Sequence, residues 1–222
     1  MYKKLYVCML AAVLTASYAQ SQITFGARAG FALTNQSIKY DGKKPDKEDR
    51  SKMKPGIQIG IIGEYTLDDA ISFQSGLVFA TQGFRYKFSD EWEDFGTVET
   101  KTTLNINYLQ IPVNALYQMD MGGGKLVFQA GPYLGLALGG KSKSKEKSNG
   151  RTETDKVDVK FGSEVGEMKR IDLGLGLGAG VQFNNIRAGL EYKFGVTNLS
   201  NFDKSTQRNN GLTLSMTYLF GI

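Results

Sequence analysis

The sequence has 222 residues, a formal net charge of +5, no histidine and one cysteine. That length holds one barrel or one to two soluble domains, and a small positive charge spread over connections leaves no nucleic-acid footprint. Without histidine, Ser–His and Cys–His catalysis and His-ligated metal sites are excluded in their usual forms, so no enzymatic activity and no cofactor are expected.

In chain order, Met1 to Lys4 are basic, Leu5 to Leu14 apolar, and Ser17-Tyr18-Ala19 forms a small-x-small cleavage site. These mark a secretory signal peptide over 1–19, with a barrel domain over 20–222. Cys8 lies inside the leader, so the mature chain is expected to carry neither disulfide nor lipid anchor. From Ile23 to Thr34 the residues alternate, with Ile23, Phe25, Ala27, Ala29, Phe31 and Leu33 set against Thr24, Gly26, Arg28 and Gly30. Such a period of two reads as a strand with one apolar face. A charged connection follows over 35–53. The second strand carries Ile57, Ile59, Ile61 and Tyr65 opposite Gln58, Gly60 and Glu64, and ends in a tight turn at Asp68-Asp69. In the third, Ile71, Phe73, Leu77 and Phe79 share one parity while Phe84, Tyr86 and Phe88 take the other. Either a β-bulge near Gln82-Gly83 resets the faces, or the membrane strand ends there and a solvated extension continues.

Residues 89–103 read as an acidic connection around Trp92, the lone tryptophan. Strand four spans Leu104 to Met119, with Leu109, Ile111, Val113 and Tyr117 in phase, and strand five carries Phe128, Pro132, Leu134, Leu136 and Leu138. The longest connection, 141–169, is rich in lysine and serine at its start. The clearest alternation comes last. Ile171 to Phe183 opposes leucines to Gly174, Gly176, Gly178 and Gly180; Asn184-Asn185 turns the chain into Ile186 to Val196; Leu212 to Phe220 ends it. The predicted fold is all-β, an eight-stranded antiparallel up-and-down transmembrane β-barrel. Strands of about ten residues suit a tilted crossing, and connections alternating long and short match external loops and periplasmic turns.

A secreted, soluble lipocalin-like ligand binder shares this alternation with its apolar face turned inward. Three features favour the membrane: small residues on the non-apolar face, no helix or cysteine pair, and aromatics at strand ends (Phe25, Tyr65, Phe84, Tyr117, Phe183, Tyr192, Phe194, Tyr218, Phe220). A charge facing lipid at mid-membrane costs about 2–4 kcal/mol. Arg28, Glu64, Asp172, Arg187, Glu191 and Lys193 are therefore expected in the lumen. There, two arrangements stand: a cross-lumen network in which Arg28 and Arg187 meet Glu64, Glu191 or Asp172 and close the pore, or scattered charges each held by water.

Other motifs read plainly. Glu91, Glu93 and Asp94 lack calcium-loop spacing and form a solvated acidic stretch. Gly174 to Ala179 fits a loose dinucleotide fingerprint but lacks its strand-to-helix turn. Trp92 and Lys141, Lys143, Lys145 and Lys147 are candidate contacts for lipopolysaccharide or a partner protein, against the plainer reading of a flexible, solvated loop.

Tyr108-Leu109-Gln110-Ile111-Pro112-Val113 and Phe128-Gln129-Ala130-Gly131-Pro132-Tyr133-Leu134-Gly135 resemble the central strands of the outer-membrane β-barrel domain common in Bacteroidetes, the PorT-like family. Phe25 to Phe31 and Glu191 to Ser200 are similar to its first and seventh strands. The resemblance spans the mature chain of this Gram-negative type. It implies an outer-membrane barrel inserted by the barrel-assembly machinery. One branch of the family is linked to type IX secretion, which makes a secretion-system or extracellular protein partner an expectation. The expected role is non-enzymatic, structural or binding, through the external loops. A narrow channel for small solutes is the alternative.

Overall fold

A computed structural model describes residues 22–43, 51–92, 96–148 and 151–221. The expected signal peptide lies outside them. The strands are β1 (Ile23–Tyr40), β2 (Lys54–Thr66), β3 (Ile71–Trp92), β4 (Gly96–Asp120), β5 (Lys125–Ser148), β6 (Arg151–Asp158), β7 (Ile171–Phe183), β8 (Ile186–Gly195) and β9 (Ser205–Phe220). All pairings between these strands are antiparallel. β1 joins β9 and β4 joins β5, so eight strands close into a ring, while β6 pairs only with β5 as a ninth strand outside it. A closed ladder satisfies the backbone without leaving an edge.

Alternation decides the two faces. Ile57, Ile59, Ile61, Leu177, Leu214 and Met216 are exposed on the outer wall, whereas Arg28, Gln58, Glu64, Gln110, Asn114 and Glu191 are buried inside. A wall with Ile61 at 64 % and Leu177 at 55 % exposure needs hydrocarbon around it. It is incompatible with a soluble barrel that holds its apolar face inward. No helix among the described residues is long and apolar enough to cross a membrane; the crossing elements are strands.

The short turns gather at the end where β1 begins. Asp68 Oδ1 accepts the N–H groups of Ala70 (2.9 Å) and Ile71 (2.7 Å). Its role is therefore to close a turn by hydrogen bonding to its own backbone. Asp120 does the same for Gly122 at 2.7 Å, with Gly122 at φ +75°, and Asn184 turns at φ +49°, a conformation Asn tolerates.

At the other end, stretches that read as connections are sheet: β1 runs on to Tyr40 against Ser205 to Asn210 of β9, and the β3–β4 and β5–β6 ladders extend likewise. β3 and β4 keep one register from Ile71↔Tyr117 to Trp92↔Gly96. β5 continues to Ser148, and β6 returns along it from Arg151 to Asp158. Of the two readings of Gln82-Gly83, that single register fits the second: between these strands no bulge resets the faces, and β3 continues as an extension to Trp92. Phe84 stays on the inward parity of Gln82 and packs inside the barrel, so it is no part of an interfacial girdle. Only the ladder to β2 breaks here, between Gln58↔Ala80 and the isolated Lys52↔Arg85 bridge. The slip in register falls instead in β5, where Tyr108 faces Ala137 but Asn107 faces Gly139, leaving Leu138 as the extra residue.

Gly83 is nonetheless special. Its φ is +147°, and a Cβ there would collide with the carbonyl oxygen of Leu104. Gly83→Ala is expected to cost roughly 1–3 kcal/mol. Gly139→Ala, with nothing within 4 Å of the added carbon, serves as the control, and urea titration of the refolded barrel compares the two.

Candidate functional site

The lumen is filled by side chains that the inward parity delivers from opposite walls. Arg187 on β8 reaches Glu64 on β2 with two parallel hydrogen bonds, Nη1 to Oε2 at 2.8 Å and Nη2 to Oε1 at 3.1 Å. Gln118 on β4 donates to Glu64 at 3.0 Å, and Gln182 accepts from the Arg187 guanidinium at 3.0 and 2.7 Å. A forked pair of this kind is among the strongest charge-assisted contacts available. Farther along the lumen, Arg28 on β1 donates to Glu191 at 2.8 Å. Lys193 lies 3.7 Å from the same carboxylate and donates to Gln110, across the ring, at 3.0 Å.

Asp172 stands apart from the arginines. Its Oδ2 accepts from Asn209 (2.9 Å) and the Tyr133 hydroxyl (3.2 Å). Asn209 in turn donates to Tyr108 at 3.2 Å and accepts from Gln36 at 2.7 Å. The structure thus places all six charged residues singled out in the sequence inside the barrel, in two ion-pair clusters and one polar chain. The glycines of β7 make room for them. A Cβ on Gly176 would lie 3.0 Å from Glu191 Oε1, and one on Gly174 would strike the Tyr133 ring.

Toward the outer end the lumen turns apolar. Leu104, Ile106, Tyr108 and Ala137 from the wall enclose Met168 and Leu199, with Phe84, Val159 and Phe161 packed against them. The stretch 159–170 is tied into the mouth by Val159 N–H to Gly140 (2.9 Å), Lys169 N–H to Leu199 (2.9 Å) and Ala137 N–H to Arg170 (2.8 Å). The Arg170 guanidinium lies 5.5 Å from the Phe161 ring centre. This stopper was not anticipated, although the change of apolar parity at Phe84 and at Leu104 was its visible trace. Behind it, the inner mouth is a cavity of about 390 Å³ lined by Thr24, Glu64, Gln118, Lys125 and Gln182. Between Arg28, Arg187 and Glu191 only about 20 Å³ is open, room for about one water. Among the described residues, no group of three or more side chains suited to a metal comes together.

The candidate contact residues lie on the extramembrane sheet. Trp92 ends β3 opposite Gly96, and its side chain, like Glu93 and Asp94, is outside the described residues. Lys141, Lys143, Lys145 and Lys147 are strand residues of β5, not loop residues, paired with both β4 and β6. The slip at Leu138 turns all four to the outer side of the wall. Nearby, Lys87 and Lys101 lie 3.5 and 3.6 Å from the Glu99 carboxylate.

Residues 18–201 match the family described as outer membrane protein beta-barrel domain. No curated protein matches the sequence. Among solved structures, the chain is similar to Ail, the attachment invasion locus protein of Yersinia pestis, at 19 % identity and TM-score 0.36, covering 90 % of this chain and 99 % of that one. It is similar also to the outer membrane protein OprG from Pseudomonas aeruginosa, at 15 % identity and TM-score 0.43, covering 90 % and 96 %. Neisserial surface protein A gives 15 % identity and TM-score 0.39, covering 87 % and 96 %.

Proposed function

We propose a function from one premise: the chain belongs to the outer membrane protein β-barrel domain family, and its place is accordingly the outer membrane. It acts there as a non-enzymatic barrel with a closed lumen, a rigid anchor that presents an extracellular sheet to its partners. One observation carries this reading. The interior is occupied from wall to wall by the Glu64–Arg187 and Arg28–Glu191–Lys193 clusters, with an apolar stopper above them. A conducting pore lines its wall with such charges and leaves water between them. Here they are spent on one another.

The proposal includes the leader over 1–19 and insertion by the barrel-assembly machinery. It also includes membership of the Bacteroidetes, PorT-like group, which rests on the strand motifs Tyr108 to Val113 and Phe128 to Gly135. Planar-bilayer recording of the purified barrel is expected to show no stepwise conductance. Steps comparable with those of a general porin would replace this reading with that of a channel.

A further inference from the structure

We propose that the outward face of the β3–β4–β5–β6 sheet, just beyond the lipid-facing band, binds the phosphate groups of lipopolysaccharide in the outer leaflet. This rests on the reading of the chain as an outer-membrane barrel and names what its extracellular sheet engages.

Register builds the face. Residues opposite one another across antiparallel strands share a side of the sheet. Lys87, Lys101 and Lys145 stand opposite one another on β3, β4 and β5. In the next row outward-facing Arg85 leads through Thr103 to Lys143 and Lys156. Lys141 and Lys147 extend the same side, while Glu99 and Asp158 are the acids among them. The opposite side carries more acid than base, with Glu146 facing Glu153, Ser144 facing Asp155, and Arg151 as the cation of β6 on that side. Charge divided so by face is the product of the slip at Leu138, because an unbroken β5 would have turned its lysines toward the inner side.

Like charges directly opposite in a ladder destabilise it. Lys101↔Lys145 and Lys143↔Lys156 are two such pairs, and an anion between them turns repulsion into attraction. Strands about 4.8 Å apart and alternate residues about 6.8 Å apart put two or three cations within reach of one phosphate. The potential is already felt on this face: Lys87 first, and Lys101 next, hold the Glu99 carboxyl below its ordinary range.

Position selects the source of the phosphate. The cations share their side with Phe79, Leu109 and Leu138 of the lipid-facing wall, and Lys141 follows Leu138 by only three residues. They therefore meet the headgroup layer that borders the barrel, where basic residues gain most from anionic lipid. A soluble partner would be met at the sheet tip.

The test uses the full-length barrel folded in detergent. The probes are purified phosphorylated lipopolysaccharide, the same glycolipid after enzymatic dephosphorylation, and heparin as a soluble sulfated polysaccharide. Wild-type protein is expected to prefer the phosphorylated form. Joint substitution of Lys101→Gln, Lys143→Gln and Lys145→Gln is expected to weaken binding at least about tenfold, and the opposite-face pair Glu146→Gln and Glu153→Gln to leave it unchanged. Equal binding of the dephosphorylated glycolipid, no loss in the triple variant, or tighter binding of heparin would each overturn the proposal. Gel mobility of unboiled against boiled samples reads the barrel separately. A sample without that shift overturns the barrel reading itself, whereas folded protein that ignores phosphate overturns only this inference.

Discussion

Glu64→Ala is expected to lower the stability of the barrel by about 3–5 kcal/mol, the usual result of removing one partner of a buried ion pair. The substitution deletes both acceptors of the Arg187 fork and leaves that guanidinium buried with Gln182 alone. It also removes the Gln118 acceptor at 3.0 Å, although Ser72 at 2.9 Å still receives that amide. Glu64 borders the inner-mouth cavity of about 390 Å³, so water entering there brings the loss toward the low end of the range. The decisive comparison is the double variant Glu64→Leu with Arg187→Met. Replacing both charges by apolar groups avoids the orphaned cation, and such replacements are often neutral or stabilising. The double variant is therefore expected to unfold closer to wild type than Glu64→Ala does. Urea titration of vesicle-inserted protein, read by gel mobility, measures both. A Glu64→Ala barrel within about 1 kcal/mol of wild type would show that the pair is held by solvent and not by the lumen.

Leu177→Arg is expected to cost about 2–4 kcal/mol in lipid. Leu177 lies midway along β7, pairs with Ala130 and Tyr192, and is 55 % exposed on the outer wall. In water an exposed leucine tolerates arginine with little change, so the cost arises only if hydrocarbon surrounds it. Val165, 75 % exposed in the stretch beyond the membrane strands, provides the contrast, and Val165→Arg is expected to stay within about 0.5 kcal/mol. Equal effects at the two positions in vesicle-inserted protein would contradict the membrane-facing wall.

Much of the ring was legible in the sequence because apolar and polar residues alternate on two different surfaces. Ile57 to Ile61 and Leu173 to Leu177 show the period directly. The extramembrane sheet was not legible by the same test. Lys141 to Ser148 reads Lys-Ser-Lys-Ser-Lys-Glu-Lys-Ser, a period of two in which both faces are polar, so hydropathy is blind to it. The alternation of lysine with serine was the available signal, and it marks a strand. Phe84 misled, and Leu104 passed unmarked, for the opposite reason. Their apolar side chains belong to the lumen, because Met168 and Leu199, about 60 to 115 positions downstream, arrive to pack there.

By itself the sequence determined which residues could not face lipid. Arg28, Glu64, Asp172, Arg187, Glu191 and Lys193 sit on the wrong parity for a hydrocarbon wall, and the energetic penalty for a charge there leaves them only the interior. Which partner each one meets was decided by the tertiary structure alone. Arg28 reaches Glu191 and Arg187 reaches Glu64 across separations of 163 and 123 residues, while Asp172 takes Tyr133 and Asn209 instead of an arginine. Those choices depend on ring closure and on the height each strand's register gives its side chain. Alternation constrains the face a residue takes but says nothing about either.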